Sequence, residues 1–206
     1  MTQAEPKKAL SQAERFIQDL EKLADDKNGK KADRAALAAL RRGLGKSPGE
    51  VSEIHRYVVP YINNLSDSNY KQADCYYLVA SLFALHQISW HSEEKAAYKS
   101  NLGASFAKLQ ASSDGNESIE KRFVALLNSH QEDLADHLRH AVSLLKSKEI
   151  GIDWLQLLKD LQNWDNDNRY VQRDWARAFW SKPSDEPENS TENNPSETKL
   201  ETKSNN

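Results

Sequence analysis

The sequence predicts an all-α protein. Apolar residues recur every three or four positions along most of the chain, a spacing that places them on one face of a helix. No segment alternates apolar and polar residues for long enough to indicate a strand. Capping and turn residues divide the periodic segments into short helices, and we expect these to form two small bundles. The predicted bundles occupy residues 1–100 and 101–182, and a tail follows at 183–206.

The first predicted helix carries the periodic apolar residues between positions 10 and 24. Its start has two possible capping boxes, Ser11 with Glu14 and Thr2 with Glu5. The helix should end before the Asn28-Gly29 dipeptide, which interrupts the pattern and is typical of a turn.

A second, short helix should begin at Asp33, a suitable N-cap, and end near Gly43 or Gly45. Four cations lie on this helix or directly after it: Arg34, Arg41, Arg42 and Lys46. Cations in a last turn suit the helix dipole. Arg41 and Arg42 are therefore either simple C-terminal charges or part of a binding surface.

Two prolines delimit the third predicted helix. Pro48 is expected in its first turn, and Pro60 should disrupt its other end. The next helix, at about residues 70–89, is the most apolar segment and should lie at the centre of the first bundle. Cys75 is expected in or near that core as a small hydrophobic residue, because no activating partner for a catalytic thiol is evident.

The segment at residues 101–164 predicts further amphipathic helices, one of which has two distinct stripes. Its apolar stripe is formed by Leu134, Leu138, Ala141 and Leu145. Arg139 and Lys146 share a second stripe beside the apolar one. On the preceding helix, Arg122 flanks the apolar face and Lys121 lies nearly opposite to it. Asp153 should cap the helix that follows.

A row of three arginines is predicted on the last helix. Arg169, Arg173 and Arg177 are four residues apart, on the side opposite Val171, Trp175 and Phe179. Cations on consecutive turns repel one another, so we expect this row to be exposed and to contact nucleic acid or an acidic neighbouring subunit. The alternative is local neutralisation by Asp165, Asp167 and Asp174.

Charge is distributed unevenly between the tail and the rest of the chain. From Pro183 to Asn206 there are six acidic residues and two lysines, a net charge of −4, which leaves residues 1–182 at about +1. The tail has one large apolar residue, Leu200, so its composition predicts disorder. The chain has no apolar run near the length of a membrane span and no apparent signal peptide, so we expect a cytoplasmic protein with no membrane partner.

Catalytic and metal-binding patterns are weak. Asp133, His137 and His140 share one flank of a helix, where they could hold a divalent ion or simply form a solvated face with an Asp–His pair. No phosphate-binding glycine loop, dinucleotide turn or nucleophile elbow is present. The five tryptophans lie at helical spacing and favour core or subunit contacts over base stacking. We therefore predict no catalytic residue, metal, cofactor or small-molecule substrate.

A series of segments carries a resemblance to a known family. In order they are LAALRRGLGKSPGE, HRYVVPYI, YYLVASLFALH, LGASFAKL and the long segment from ESIEKRF to LQNWD. Their order and spacing resemble the CasB family, the small subunit of the type I-E CRISPR Cascade complex. The resemblance covers roughly residues 32–180 and leaves out the acidic tail.

The resemblance implies a non-catalytic, all-helical subunit present as a pair in Cascade. Its implied partners are the other Cascade subunits, CRISPR RNA, a second copy of itself and target DNA that is single-stranded within the R-loop. The matching positions for phosphate contacts are Arg41, Arg42, Lys121, Arg122 and Arg139. Two positions depart from the family pattern: Lys121 stands where Arg is expected, and His140 stands where another cation is expected. The alternative function is a helical scaffold whose basic rows bind acidic proteins.

Overall fold

The computed structural model describes residues 10–26, 31–63, 70–90, 100–113 and 117–181. Its α-helices are α1 (Gln12–Ala24), α2 (Arg34–Arg41), α3 (His55–Val58), α4 (Tyr70–Leu85), α5 (Leu102–Ala111), α6 (Glu117–Leu127), α7 (Gln131–Ser147), α8 (Trp154–Leu161) and α9 (Tyr170–Trp180). Across these ranges the only β pairing is an isolated parallel bridge between Ser89 and Ile152. The all-α prediction is confirmed. The tail predicted to be disordered lies outside the described residues.

Capping residues fix several helix starts as the sequence predicts. At α1, Glu14 N donates to Ser11 Oγ at 3.3 Å, and Ser11 N donates to Glu14 Oε2 at 2.7 Å. This reciprocal pair is a capping box and satisfies two backbone donors that the helix leaves without partners. Asp33 and Asp153 likewise cap α2 and α8 through their carboxylates. The alternative box at residues 2 and 5 lies outside the described residues.

The third helix differs from its prediction. Pro48 does not open it, because Gly49 adopts a left-handed backbone with φ of 79° and interrupts any helix at that point. The helical segment is instead a single α turn flanked by two 3₁₀ turns, Ser52–Ile54 and Val59–Tyr61. Pro60 lies inside the second 3₁₀ turn, where it ends the α-helical pattern as expected.

Helix α4 is the centre of the hydrophobic core. Its buried side chains include Val79, Leu82 and Phe83, and the helix packs against α2, α7 and α8. The Phe83 ring meets the buried Trp154 ring edge to face at 5.6 Å, which joins α4 to α8. One continuous apolar cluster thus includes residues on both sides of position 100. The division into two bundles at that position stays a prediction.

Helix α4 ends at Leu85, earlier than predicted, because the chain then pairs with the segment before α8. Trp90 N donates to Ile152 O at 3.2 Å, and Ile152 N donates to Ile88 O at 3.1 Å. His86 Nε2 lies 2.7 Å from Ile150 O and donates to it, since a carbonyl can only accept. Burial lowers the pKa of His86, which favours this neutral donor form.

Helix α9 crosses α5 at a glycine. A Cβ added to Gly103 would lie 2.1 Å from the carbonyl oxygen of Trp175, closer than any real contact. The two backbones therefore meet at this point without an intervening side chain. Next to the crossing, the ring of Phe123 lies 5.0 Å from Phe106 and 4.3 Å from Phe179, so α6 packs against both helices.

Candidate nucleic-acid interface

The loop after α2 contacts α7, which brings two cation-bearing segments together. Arg139 Nη1 lies 3.1 Å from the position that a Cβ on Gly45 would occupy. Gly45 has φ of 73°, a left-handed conformation that favours glycine and lets the loop turn beneath the guanidinium. The loop also carries Lys46 and directly follows Arg41 and Arg42. Arg139 and the loop after α2 are thus neighbours in space although they are far apart in sequence.

A groove of about 500 Å³ lies between this loop, α4 and α7. It is lined by three cations, Lys46, Lys71 and Arg139, and by three carboxylates, Asp74, Glu132 and Asp136. Two of the cations have partners: Lys46 Nζ is 2.8 Å from Glu50, and Lys71 Nζ is 3.2 Å from Asp165. No carboxylate among the described residues forms an ion pair with Arg139.

Arg41 and Arg42 are adjacent in sequence but have different partners. The Nε and Nη2 atoms of Arg41 donate to the carbonyl oxygen of Ala84 at 3.1 and 2.8 Å. This carbonyl is near the end of α4, so Arg41 fastens α2 to α4 through the backbone. Arg42 forms an exposed ion pair with Glu53. Neither alternative that the sequence left open for Arg41, a simple C-terminal charge or part of a binding surface, includes this contact with the backbone of α4.

The cations of α6 also differ in their surroundings. Lys121 Nζ lies 2.8 Å from Glu117 in an exposed ion pair one turn apart. Arg122 is exposed, and no described carboxylate pairs with it. Arg122 is thus the freer member of this predicted pair of bases.

Lys146 and Arg34 are exposed at helix ends. Lys146 is in the last turn of α7, where a cation suits the helix dipole. Its charge also acts on His86: burial is the main cause of the lowered pKa of His86, and Lys146 adds to the effect. Arg34 is the first residue of α2. Neither residue forms an ion pair with a described carboxylate.

The predicted row of three arginines is shorter than expected. Arg169 precedes α9 with a left-handed backbone, φ 50°, and its Nη2 donates to Leu127 O at 2.6 Å, near the end of α6. Arg177 pairs with Asp174 at 2.9 Å, as the neutralised alternative proposed. Arg173 is exposed and has no ion pair with a described carboxylate. Only Arg173 and Arg177 lie on α9 itself.

Sequence reasoning missed Lys71, one of the three cations that line the groove. Lys71 is at the start of α4, far in sequence from the other basic segments, and tertiary packing alone places it beside them. Sequence reasoning also missed Lys108, which lies outside the groove over the ring of Trp90 at 3.9 Å, in a cation–π contact that no spacing indicates. Lys46, by contrast, is indicated by the sequence, because it directly follows the glycine turn after α2.

The weaker chemical alternatives find little support in the geometry. Cys75 is buried, and burial raises the pKa of its thiol to about 12, so the thiol stays protonated at neutral pH. Over the described ranges, no group of three or more His, Cys, Asp or Glu side chains is arranged to hold a metal ion, and this includes Asp133, His137 and His140. No described helix is long and apolar enough to cross a membrane.

Comparison with known proteins identifies the family. The model of the CRISPR-associated protein Cse2 family matches residues 36–180. A curated CRISPR-associated protein Cse2 from Thermus thermophilus is 35% identical over 188 residues, which cover 89% of this chain and 98% of the relative. The chain belongs to the Cse2 family.

Solved structures of the Cse2 family have the same fold. The crystal structure of a Cse2-family protein from Thermus thermophilus superposes with a TM-score of 0.67 at 35% identity, over 83% of this chain and 99% of that one. The crystal structure of M. ruber CasB gives 0.67 at 34% identity, over 84% and 94%. A chain of a structure described as a CRISPR RNA-guided surveillance complex gives 0.65 at 27% identity, over 82% and 91%. The resemblance to CasB is confirmed.

Proposed function

We propose that this Cse2-family chain is a non-catalytic small subunit of a type I-E CRISPR RNA-guided surveillance complex, Cascade, in the cytoplasm. In this proposal two copies assemble with the other subunits and CRISPR RNA, and their exposed cations hold target DNA that is single-stranded within the R-loop. The family match and the likeness to a chain of a surveillance complex support the assembly.

The observation that carries the nucleic-acid role is the approach of Arg139 to the Gly45 loop. Lys46 of this loop and Arg139 line the same groove, so cations from two distant segments lie near each other, as binding along a phosphate backbone requires. Each phosphate neutralised by Lys or Arg releases condensed counterions, which makes binding salt-dependent and tolerant of sequence. Backbone contacts of this kind favour the open R-loop, while base pairing with the guide reads the sequence.

The contacts divide the candidate cations into three groups. The first has no ion pair with a described carboxylate: Arg34, Arg122, Arg139, Lys146 and Arg173. The second forms exposed ion pairs: Arg42, Lys121 and Arg177. Exposed pairs contribute little to stability, so these cations can exchange a carboxylate for a phosphate. The third, Arg41 and Arg169, donates to backbone carbonyls and is the least available.

The test replaces two arginines that form no ion pair with a described carboxylate, in a guide-loaded complex. Arg122→Ala/Arg139→Ala should weaken target-DNA affinity for all sequences alike, and the slope of log affinity against log salt should fall by about 0.7–0.9 for each phosphate that is no longer neutralised. Both side chains are exposed, so the thermal melt of the subunit should change little. The affinity is measured at several salt concentrations.

A matched control removes two other exposed cations. Arg15→Ala/Lys159→Ala changes the net charge equally but lies outside the candidate set. Equal loss of affinity in both double variants would indicate a general charge effect and contradict the assignment. If Arg122→Ala/Arg139→Ala instead kept the subunit out of the complex, and the isolated wild-type subunit showed little affinity for single-stranded DNA at any salt concentration, the scaffold alternative would be favoured.

A further inference from the structure

Tyr70, the first residue of α4, has the most exposed large apolar side chain among the described residues. Its relative exposure is 71%, against 49% for Trp180, the next highest. The Trp180 ring packs on Phe123 and Phe179, and its indole donates to Glu120. Within the described part of the chain, no aromatic ring and no cation lies against the ring of Tyr70. Most of this ring is therefore available to a partner outside the chain.

Helix geometry places Tyr70 on the side of α4 that lines the groove. A single exposed apolar residue is common on protein surfaces, so its position matters more than its exposure. Tyr70 is four, seven and eleven residues before Asp74, Tyr77 and Ser81, which all line the groove. Residues at this spacing share one face of a helix, and the buried Val79 lies on the opposite face. Tyr70 therefore extends this wall of the groove by one helical turn beyond Asp74.

The groove supplies cations beside this ring. Lys71 directly follows Tyr70, and Lys46 and Arg139 line the same groove. The side chain of Lys71 is 80% exposed, and its ion pair with Asp165 is exposed too, so Lys71 can exchange the carboxylate for a phosphate. The three carboxylates of the groove offset its three cations, so charge alone holds a strand weakly there. An uncharged stacking surface adds affinity that does not depend on this balance.

We propose that Tyr70 stacks on an unpaired base of single-stranded target DNA whose phosphates bind the cations of the groove. The inference rests on the proposed function, because it adds a base contact to the same surface. Stacking needs an accessible base face, which the strand that the guide displaces within the R-loop offers. Every base has such a face, so the contact tolerates any sequence and leaves sequence reading to the guide.

Stacking and phosphate contacts differ in their salt dependence. A base stacked on an aromatic side chain contributes about tenfold or more to affinity. The ring neutralises no phosphate and releases no counterion, so its loss leaves the slope of log affinity against log salt unchanged. Loss of an arginine that binds a phosphate lowers that slope. The two kinds of contact can therefore be measured separately in one complex.

The first test replaces Tyr70 in a guide-loaded complex and measures target-DNA affinity at several salt concentrations. Tyr70→Ala should weaken binding by about tenfold at each of them. Tyr70→Phe should bind as the native protein does, because stacking needs the ring and not the hydroxyl group. Tyr70→Leu is apolar but has no ring, so it should bind as weakly as Tyr70→Ala. Native affinity in Tyr70→Ala or in Tyr70→Leu overturns the proposal.

The second test finds the stacked base. One abasic residue is moved stepwise along the displaced strand of the target DNA. At the stacked position it should weaken binding by the native complex about tenfold more than binding by the Tyr70→Ala complex, which has already lost the contact. An abasic residue also weakens the duplex that must open, but this effect is the same in both complexes. Equal loss in both complexes at every position overturns the stacking contact.

Further outcomes separate this inference from the proposed function. The side chain is exposed, so the thermal melt of the subunit should not change in any Tyr70 variant. If Tyr70→Ala fails to enter the complex while Tyr70→Phe enters it, the ring contacts another subunit and the proposal is overturned. If Arg122→Ala/Arg139→Ala lowers affinity and slope but Tyr70→Ala does not lower affinity, the proposed function stands and this inference fails.

The converse result is equally informative. If Arg122→Ala/Arg139→Ala binds target DNA as the native protein does, while Tyr70→Ala binds it more weakly and the abasic scan finds a stacked position, the assigned phosphate contacts fail. The stacking contact then stands without them.

Discussion

At the scale of single residues, the buried carboxylate of Asp160 is the most unusual group in the described structure. It is 7% exposed, and it accepts from Trp175 Nε1 at 2.6 Å and from Gln156 Nε2 at 2.8 Å. Burial raises its pKa to about 6 even though both hydrogen bonds favour the charged form. The negative charges of Asp174 and Asp153 add to the increase.

Asp160 should therefore make stability depend on pH. A carboxyl whose pKa is raised on folding stabilises the fold fully below its unfolded pKa, near 4, and this contribution is lost as pH rises through about 6. A shift of about two pKa units corresponds to roughly 3 kcal/mol. We expect the free energy of unfolding of the native chain, relative to Asp160→Asn, to fall by about that amount between pH 4 and pH 8.

Denaturant unfolding at a series of pH values measures this difference. Trp175 and Gln156 donate to different oxygens of the Asp160 carboxylate, whereas an asparagine side chain has only one acceptor oxygen. The absolute stability of Asp160→Asn therefore also changes. The informative quantity is therefore the slope with pH. Parallel stability curves for the two proteins would show that Asp160 does not titrate in this range.

At the scale of helices, the backbones of α5 and α9 lie in close contact where the two helices cross at Gly103. In an unconstrained helix, Gly103→Ala would stabilise by up to about 1 kcal/mol through helix propensity. Here the added methyl group would collide with the Trp175 carbonyl, a backbone atom that cannot rotate away. We expect a net destabilisation of about 1–3 kcal/mol, measured as a lower melting temperature or denaturant midpoint. A gain in stability would mean that the helices separate at no cost.

The helices themselves were predictable because their signals are local. Ser11, Asp33 and Asp153 mark helix starts through side-chain hydrogen bonds to amides three residues on, and the sequence indicates all three. The early end of α4 was not predictable, because it depends on pairing with Ile152, which is distant in the chain. The same limit applies to Arg41 and Arg169: the backbone carbonyls that they bind belong to other helices.

At the scale of the whole molecule, the sequence indicated that the candidate cations are exposed but not how they are arranged in space. The spacing places Arg122 and Arg139 outside the apolar faces of their helices. The resemblance implies that they contact phosphates. The approach of Arg139 to Gly45 follows from how α7 packs on α4, and no local pattern encodes it. The hydrophobic cluster of described residues that spans position 100 has the same origin, because residues of both halves pack on α4.

The acidic tail, residues 183–206, should be dispensable for folding. A truncation after Lys182 removes no residue of the described core and, apart from Leu200, no large apolar side chain. We expect an unchanged melting temperature, unchanged solubility and normal entry into the surveillance complex. These are measured by thermal melt and by co-purification with the other subunits and guide RNA. Aggregation of the truncated chain, or its failure to assemble, would contradict this prediction.

The parallel bridge between Ser89 and Ile152 also has a consequence for the order of folding. The bonds beside it join residues far apart in the chain: Trp90 Nε1 donates to Gly151 O across 61 positions, and His86 meets Ile150 across 64. Closing a loop of this size costs entropy before any contact compensates, whereas the α6–α7 hairpin needs only local contacts. The hairpin should therefore form early, and the bridge should close late. The C-terminal end of α4 at Leu85 would be fixed only in that last step, when the residues after Leu85 pair with the segment before α8.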